Sequence, residues 1–486
     1  MSASGYHSTM KLIYLLLALG LALPQARADG LPDLGEASQA VLSPQQERRI
    51  GESVMNSIRA SRELLDDAEI TAYLNALGAR LVASSQDPAR GFEFFVLRDP
   101  TLNAFAMPGG FIGVHTGLIL SSQSESELAS VLAHEIAHVT QNHLARVIAG
   151  TQKNTLTSLA ALALAILASR SNPQMASAAI ATVQATNIQS QLDYTREHER
   201  EADRIGLQTL TQSGFDPTAM AGFFERLQKY GRLYENNAPV YLRTHPLTTE
   251  RIGDVQNRMD SLPYRQVPDS LEFQLVRAKI EALEETPAQA VRFFEAALAD
   301  GKYSSEAAQH YGLAQALLRV KDYSRAEREL RLARAASPAN PMLETLAAQL
   351  RAAMGQTGAA QETYRAALKR FPHYQALVYG LADLLLQNHR AGEALSLVTG
   401  ELKTHSADER LYRLQARACA ALGKAAQQHR ALAEAYVLRG NRPEAIEQLQ
   451  IALKVKDADF YQLSMAEARL RQLRDQEKDA RKPENN

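Results

Sequence analysis

A register of 34 residues runs through the second half of the chain. Ala314, Ala326, Ala333 and Pro338 recur as Ala348, Ala360, Ala367 and Pro372, each 34 residues later. Ala382 and Ala394 continue two of these columns, and Ala416 extends the first. An earlier copy, two residues out of phase, holds Ala278, Ala290 and Ala297, and a final copy holds Ala433, Ala445 and Ala452. Large side chains keep step at Leu330, Tyr364, Val398 and Leu432. Small residues at fixed offsets let paired helices approach closely. One such pair cannot bury its apolar face alone, so successive pairs must stack into a solenoid.

The period matches tetratricopeptide (TPR) helix pairs and places an α-helical TPR solenoid at 265–474. The whole chain, at 486 residues, is too long for one ordinary core. Aromatic residues are 6% and tryptophan is absent, which suits a mainly α protein. Charge is balanced, 53 basic against 54 acidic, which argues against a nucleic-acid partner. Cys419 is the single cysteine, so no intrachain disulfide and no cysteine-based metal site can form. Residues 475–486, rich in Lys, Asp and Glu, read as a disordered, solvated tail.

At the N-terminus Lys11 precedes an apolar run from Leu12 to Leu23, followed by Pro24 and Ala26-Arg27-Ala28. Twelve helical residues span about 18 Å, short of a bilayer core of about 30 Å. The segment 1–28 therefore reads as a signal peptide cleaved after Ala28. The mature chain would carry 51 basic against 54 acidic residues, after loss of Lys11 and Arg27. Export without disulfides points to the periplasm.

After a leader at 29–42, residues 43–264 read as a separate domain. Ser43-Pro44 opens one helix and 69–84 fits another. Phe92–Leu97 reads as a strand, and two short strands around Pro108-Gly109-Gly110 read as a hairpin from Asn103 to His115. An apolar run, 156–168, lies within a helical stretch of 150–192. It is too short to span a bilayer and either packs within the domain or touches a membrane surface.

His134-Glu135-Ile136-Ala137-His138 lies on a helix that Ser124 and Glu127 open as a capping box. Positions i and i+4 share one face, so both imidazoles can reach one zinc ion at about 2.0–2.1 Å. Glu135 projects beside them as a general base for an attacking water, and zinc would supply Lewis acidity. A catalytic zinc needs a third protein ligand, and no further histidine motif follows His138. In Arg196–Asp203, Glu199 and Asp203 extend the inward stripe of Ala202, Ile205, Gly206 and Leu210, while Glu197 and Glu201 point outward. Glu199 is the expected third ligand of one Zn2+ per chain, and Asp203 the carboxylate that orients a ligand histidine. His143, nine residues after His134 and about half a turn around the helix, faces away from the metal, and His198 is turned about 100° from Glu199.

Together, His134-Glu135-x-x-His138 and Glu199-x-x-Ala202-Asp203 resemble the gluzincin family that includes the CAAX prenyl protease and the HtpX heat-shock protease. Asn103-Ala104-Phe105-Ala106 with Pro108-Gly109-Gly110, and His245-Pro246 with Arg251-Ile252, are similar to that family's patterns. With a signal peptide and C-terminal repeats, the chain looks like the periplasmic members that enhance β-barrel assembly. The resemblance implies a zinc endopeptidase acting on misfolded or stalled outer-membrane proteins. It also implies help with their assembly, through contacts with the barrel-insertion machinery.

Three assignments stay open at this level. His245, on a turn before Pro246, is either a fourth zinc ligand that holds the enzyme shut, a donor to the tetrahedral intermediate, or a packing residue. Arg251 either pairs with an acid near the site or lies on the surface. Asn103 to Ala106 offer a strand edge that can pair with an extended substrate, or form a purely structural hairpin. A contrasting function is a TPR chaperone or adaptor whose proteolytic site is normally shut.

Overall fold

The computed structural model describes residues 42–149, 196–233, 239–260, 262, 265–457 and 459–481. The segment 1–28 read as a signal peptide, the leader up to residue 41 and the stretch 150–192 with its apolar run lie outside them. The first helix, α1 (Pro44–Ala60), starts where Ser43 accepts from the Gln46 amide and Gln46 accepts from the Ser43 amide. Helix α2 (Ala68–Val82) starts at Asp67, whose carboxylate caps the amides of Glu69 and Ile70.

Three strands follow: β1 (Glu93–Leu97), β2 (Ala104–Met107) and β3 (Phe111–His115). β3 lies centrally, parallel to β1 and antiparallel to β2. The β2–β3 turn needs its glycines. Gly109 and Gly110 have φ of 77° and 81°, which L side chains seldom adopt. A Cβ on Gly110 would also stand 2.2 Å from the Gly91 carbonyl oxygen. β2 is an edge strand, with no strand partner on its outer side among the described residues.

Short α3 (Thr116–Ser121) leads to α4 (Glu125–Thr140), which is buried along almost its whole length. Ser124 caps the Glu127 amide at 3.2 Å, while Glu127 reaches back to the Gln123 amide at 2.6 Å, one residue before the capping-box position. The helix stops at Thr140. Asn142 turns to φ 52°, and α5 (His143–Ala149) sets off in a new direction. Arg90 staples this break: it donates to the Val139 carbonyl at 2.8 Å and Asn142 Oδ1 at 2.7 Å, and pairs with Glu47 on α1. Next come α6 (Arg196–Gln212), α7 (Thr218–Leu233), α8 (Val240–Thr244) and α9 (Thr249–Met259). α6 and α7 both pack on α4.

From α10 (Leu271–Glu284) and α11 (Pro287–Asp300) onward the chain is a run of TPR-like helices, each packed on the next. Of the alanines in the 34-residue register, all are buried except Ala297, which is intermediate. One apolar cluster runs without a break from Leu65 through α4 and α10 to Leu350. The junction is also polar. Glu125, at the start of α4, accepts from Tyr73 Oη at 3.0 Å, and from the Ser270 amide and hydroxyl at 3.0 and 2.8 Å. Asp269 in turn accepts from the Glu125 amide at 2.7 Å. Nearby, Lys279 on α10 meets Asp67 at 2.7 Å and Glu69 at 2.6 Å.

The expected disordered tail needs correction. The last helix, Phe460–Arg481, continues through its first residues. It is anchored because Leu470 and Leu473 bury against the preceding repeat, and the helical residues beyond ride on that anchor. Residues 482–486 lie outside the description. Among the described residues no helix is long and apolar enough to cross a membrane.

The Lys279 pair yields a stability test. Removing one partner of a buried ion pair typically costs about 3–5 kcal/mol because the other charge stays buried. Lys279→Met should lower Tm in thermal scans by several degrees. Adding Asp67→Asn and Glu69→Gln to that variant should restore most of the loss. No Tm change in the single variant would show that the pair does not tie the two halves together.

Candidate metal centre

The site begins with the crossing of two helices. α6 passes α4 at Gly206, where a Cβ would stand 3.1 Å from the His134 backbone nitrogen and Cα. This close approach sets Glu199 and Asp203 beside His134 and His138. A third element closes the group. α8 ends at His245, whose amide donates to the Tyr241 carbonyl at 2.8 Å. Its ring stacks on Tyr241 with centroids 4.7 Å apart. Thr248 then caps α9, which carries Arg251 in its first turn.

His134, His138, Glu199 and His245 each offer one ligand atom, and these atoms all lie within 4.8 Å of one another. His134 Nε2 is 2.9 Å from His138 Nε2 and 3.3 Å from His245 Nδ1. Glu199 Oε1 is 3.4 Å from His138 Nε2 and 3.0 Å from His245 Nδ1. Ligands at about 2.0–2.1 Å around a tetrahedral ion stand about 3.3 Å apart, so the spacing suits one small divalent cation. All four residues are buried.

Charge gives the same answer. Arg251 reaches Asp203 through two nitrogens, each at 2.7 Å, and Glu199 Oε2 at 2.7 Å. It also donates to the Pro246 carbonyl at 2.8 Å. Ionised Glu135, Glu199 and Asp203 would carry three negative charges against one on Arg251. Without an ion a protonated His134 offsets part of that excess; with His134 neutral, a divalent ion would balance it in this buried setting.

Proton affinities follow these contacts. Burial alone would push the Glu199 carboxyl up, but the facing His245 and hydrogen bonds from the histidines hold it well below the ordinary range. Burial acts the same way on Asp203, and Arg251 overcomes it and lowers the value. Burial would lower His134, yet hydrogen bonding to Asp203 and Glu199 raises it to about 10. Burial drives His138 down to about 3 despite Glu199. Glu135, fully buried, is raised by burial against the charges of His245 and His134. Neither of its oxygens makes a well-aligned hydrogen bond, though the Ala106 backbone lies close enough to favour its charge. His245 Nε2 stands 3.5 Å from Glu135 Oε1.

The structure therefore gathers His134, Glu135, His138, Glu199, Asp203, His245 and Arg251 in one buried group. Asp203 Oδ1 is 3.0 Å from His134 Nδ1. Ala104 to Ala106 lie on the edge strand, which runs beside α4. Asn103 sits just before that strand, buried, with its amide 3.5 Å from His115 Nε2. A small cleft opens next to His138, bounded by Arg90, Ala106, Met107, Pro108 and Asn142. Two larger cavities lie elsewhere, one between α6 and α9, the other between the start of α2 and the repeats.

Three nearby residues were not picked out from the sequence. Tyr241 stacks under His245, and its buried hydroxyl lacks a hydrogen-bond partner among the described residues. A helix continued past Thr140 would turn His143 away from the group. The break at Asn142 instead swings it behind His138, Nδ1 to Nδ1 at 2.9 Å. Glu201, read as outward, reaches His143 Nε2 at 3.2 Å and Arg146 at 2.7 Å. Only the Gln141-Asn142 pair after the metal helix hinted at the turn.

The Gly206 crossing can be tested. Gly206→Ala needs a shift of a few tenths of an ångström and should keep metal binding. Gly206→Val should push the helices apart and abolish the rise in Tm on adding metal, while far-ultraviolet circular dichroism stays helical. Full metal stoichiometry in the valine variant would show that the crossing does not set the site.

A model of peptidase family M48 matches residues 68–259, and a tetratricopeptide-repeat model matches 351–418. The β-barrel assembly-enhancing protease of Escherichia coli O157:H7 is 35% identical over 450 residues, covering 92% of both chains. That of Yersinia pestis is 32% identical, again over 92% of each. The mitochondrial metalloendopeptidase OMA1 of Schizosaccharomyces pombe is 34% identical over 199 residues, 40% of this chain and 54% of that protein. Full-length likeness and the buried His-His-Glu group agree: the chain belongs to the M48 metallopeptidases, in the group of β-barrel assembly-enhancing proteases.

Proposed function

We propose that this chain is a periplasmic zinc metalloendopeptidase that removes misfolded or stalled outer-membrane proteins and assists β-barrel assembly. One observation carries the reading: four ligand atoms from three separate segments converge on one point with Glu135 buried beside them. His134, His138 and Glu199 would hold the ion, a donor set of two imidazoles and one carboxylate that suits zinc. Bound there, zinc supplies Lewis acidity for peptide hydrolysis. Glu135 takes a proton from the attacking water and passes it to the leaving amine. Asp203 accepts from His134 Nδ1 and keeps the Nε2 lone pair turned inward. Arg251 holds both acids in place.

Substrate binding falls to the free edge of β2. An extended chain added alongside Phe105 and Ala106 would be held by backbone hydrogen bonds, which read shape more than sequence. That suits unfolded outer-membrane proteins. The reading of residues 1–28 as a signal peptide and the single cysteine support the periplasm, and the similarity to β-barrel assembly-enhancing proteases supports the link to barrel assembly. The repeats would supply the surface for the assembly machinery.

His245 favours a second, compatible reading. Its Nδ1 joins the ligand group while its Nε2 lies toward Glu135. In this arrangement it fills the fourth position and covers the base. The resting protein would then be shut, acting as an adaptor until His245 moves.

Two variants test these roles. Glu135→Gln should retain one zinc per chain and lose roughly 10²–10⁴-fold in casein cleavage. Undiminished cleavage in a metal-verified sample would remove Glu135 from the chemistry. His245→Ala should keep zinc and cleave faster than wild type at rest. A loss of cleavage with zinc retained would instead make His245 a donor to the reaction.

A further inference from the structure

We propose that His143 and Glu201 are positioning residues that fix the tautomer and ring orientation of His138. The inference rests on the reading of His134, His138 and Glu199 as metal ligands. It starts from where protons must sit. For His138 to offer the lone pair of Nε2, its proton must be on Nδ1. That Nδ1 faces His143 Nδ1 at 2.9 Å, so His143 Nδ1 must accept. The His143 proton is then on Nε2, 3.2 Å from Glu201 Oε2. A carboxylate oxygen can only accept, which closes the chain in one sense. Arg146 holds the same oxygen at 2.7 Å.

Packing fixes the ring as well. His143 is fully buried, lies edge-on to His138 at 4.9 Å and stacks on His198 at 4.6 Å, 19° between planes. The break at Asn142 (φ 52°) is what brings it there. The two ligand histidines are thus held in matching ways from opposite sides. His134 Nδ1 stands 3.0 Å from the Asp203 carboxylate, whereas His138 Nδ1 faces an imidazole backed by a carboxylate. Both Nε2 lone pairs then point at each other across 2.9 Å, an arrangement a cation between them relieves.

The test measures Zn2+ affinity by chelator competition on the full chain, with Tm of the metal-free form alongside. His143→Leu removes the acceptor and should weaken zinc binding about 10–100-fold while metal-free Tm holds. His143→Asn places Oδ1 where Nδ1 was and should recover most of the affinity. Glu201→Leu should weaken binding, and Glu201→Gln, which keeps an acceptor oxygen, should weaken it less. Cobalt(II) in the same variants should show shifted visible bands for leucine and near-native bands for asparagine. Wild-type affinity in His143→Leu, or equal losses in the leucine and asparagine variants, would overturn the proposal. Absence of zinc binding in wild type would instead defeat the metal reading beneath it.

Discussion

The structure turns on one buried cation–carboxylate knot. Arg251 holds Asp203 and Glu199 in a place where isolated charges are costly. It therefore ties α9 to α6, which itself packs on α4, and through Pro246 holds the His245 turn. Around this knot the protein can leave other groups under tension. Glu135 stays buried without a well-aligned partner, and the histidine rings crowd together with hydrogen-bonding atoms facing inward. Polar groups kept in such a state are poised for an ion and a substrate more than for stability.

Much of this was legible from the residues, for physical reasons. The alanine columns record close helix contacts, and the structure buries nearly all of them. The HExxH spacing is fixed by one helical turn, so its geometry follows once the segment is helical. Glu199 and Asp203 emerged from the inward stripe of a single helix. Where the sequence was silent, the cause was a break in regularity. A helix extrapolated past Thr140 sends His143 the wrong way, because nothing local announces the positive φ of Asn142 strongly enough. The same error made Glu201 look like surface. Arg251 could not be decided because its partners lie 48 and 52 positions away in the chain. The charged tail misled in the opposite direction: composition suggested disorder, while two buried leucines upstream hold the helix together.

The edge strand and the metal group are built on different logics. β2 offers backbone groups that any extended chain can satisfy. The candidate metal group is enclosed, with its side chains drawn from α4, α6 and the turn after α8. Under the proposed reading, selectivity would come from which chains are extended and near, and from whether the enclosure opens. The His245 turn completes that enclosure, supported by a five-residue helix, a stacked tyrosine and the Arg251 bond to Pro246.

The clasp at Glu125 has a further consequence. This one carboxylate sits in the opening turn of the helix that carries His134 and His138 and at the same time accepts from the amide and hydroxyl of Ser270, the residue that caps the first repeat helix. The two halves thus share a hinge pin and are not beads joined by a string. Severing them near residue 265 would strip the pin from both, so neither piece would report how it behaves in the intact molecule. A tug on the solenoid, transmitted through that carboxylate, arrives at the same helix that carries His134 and His138.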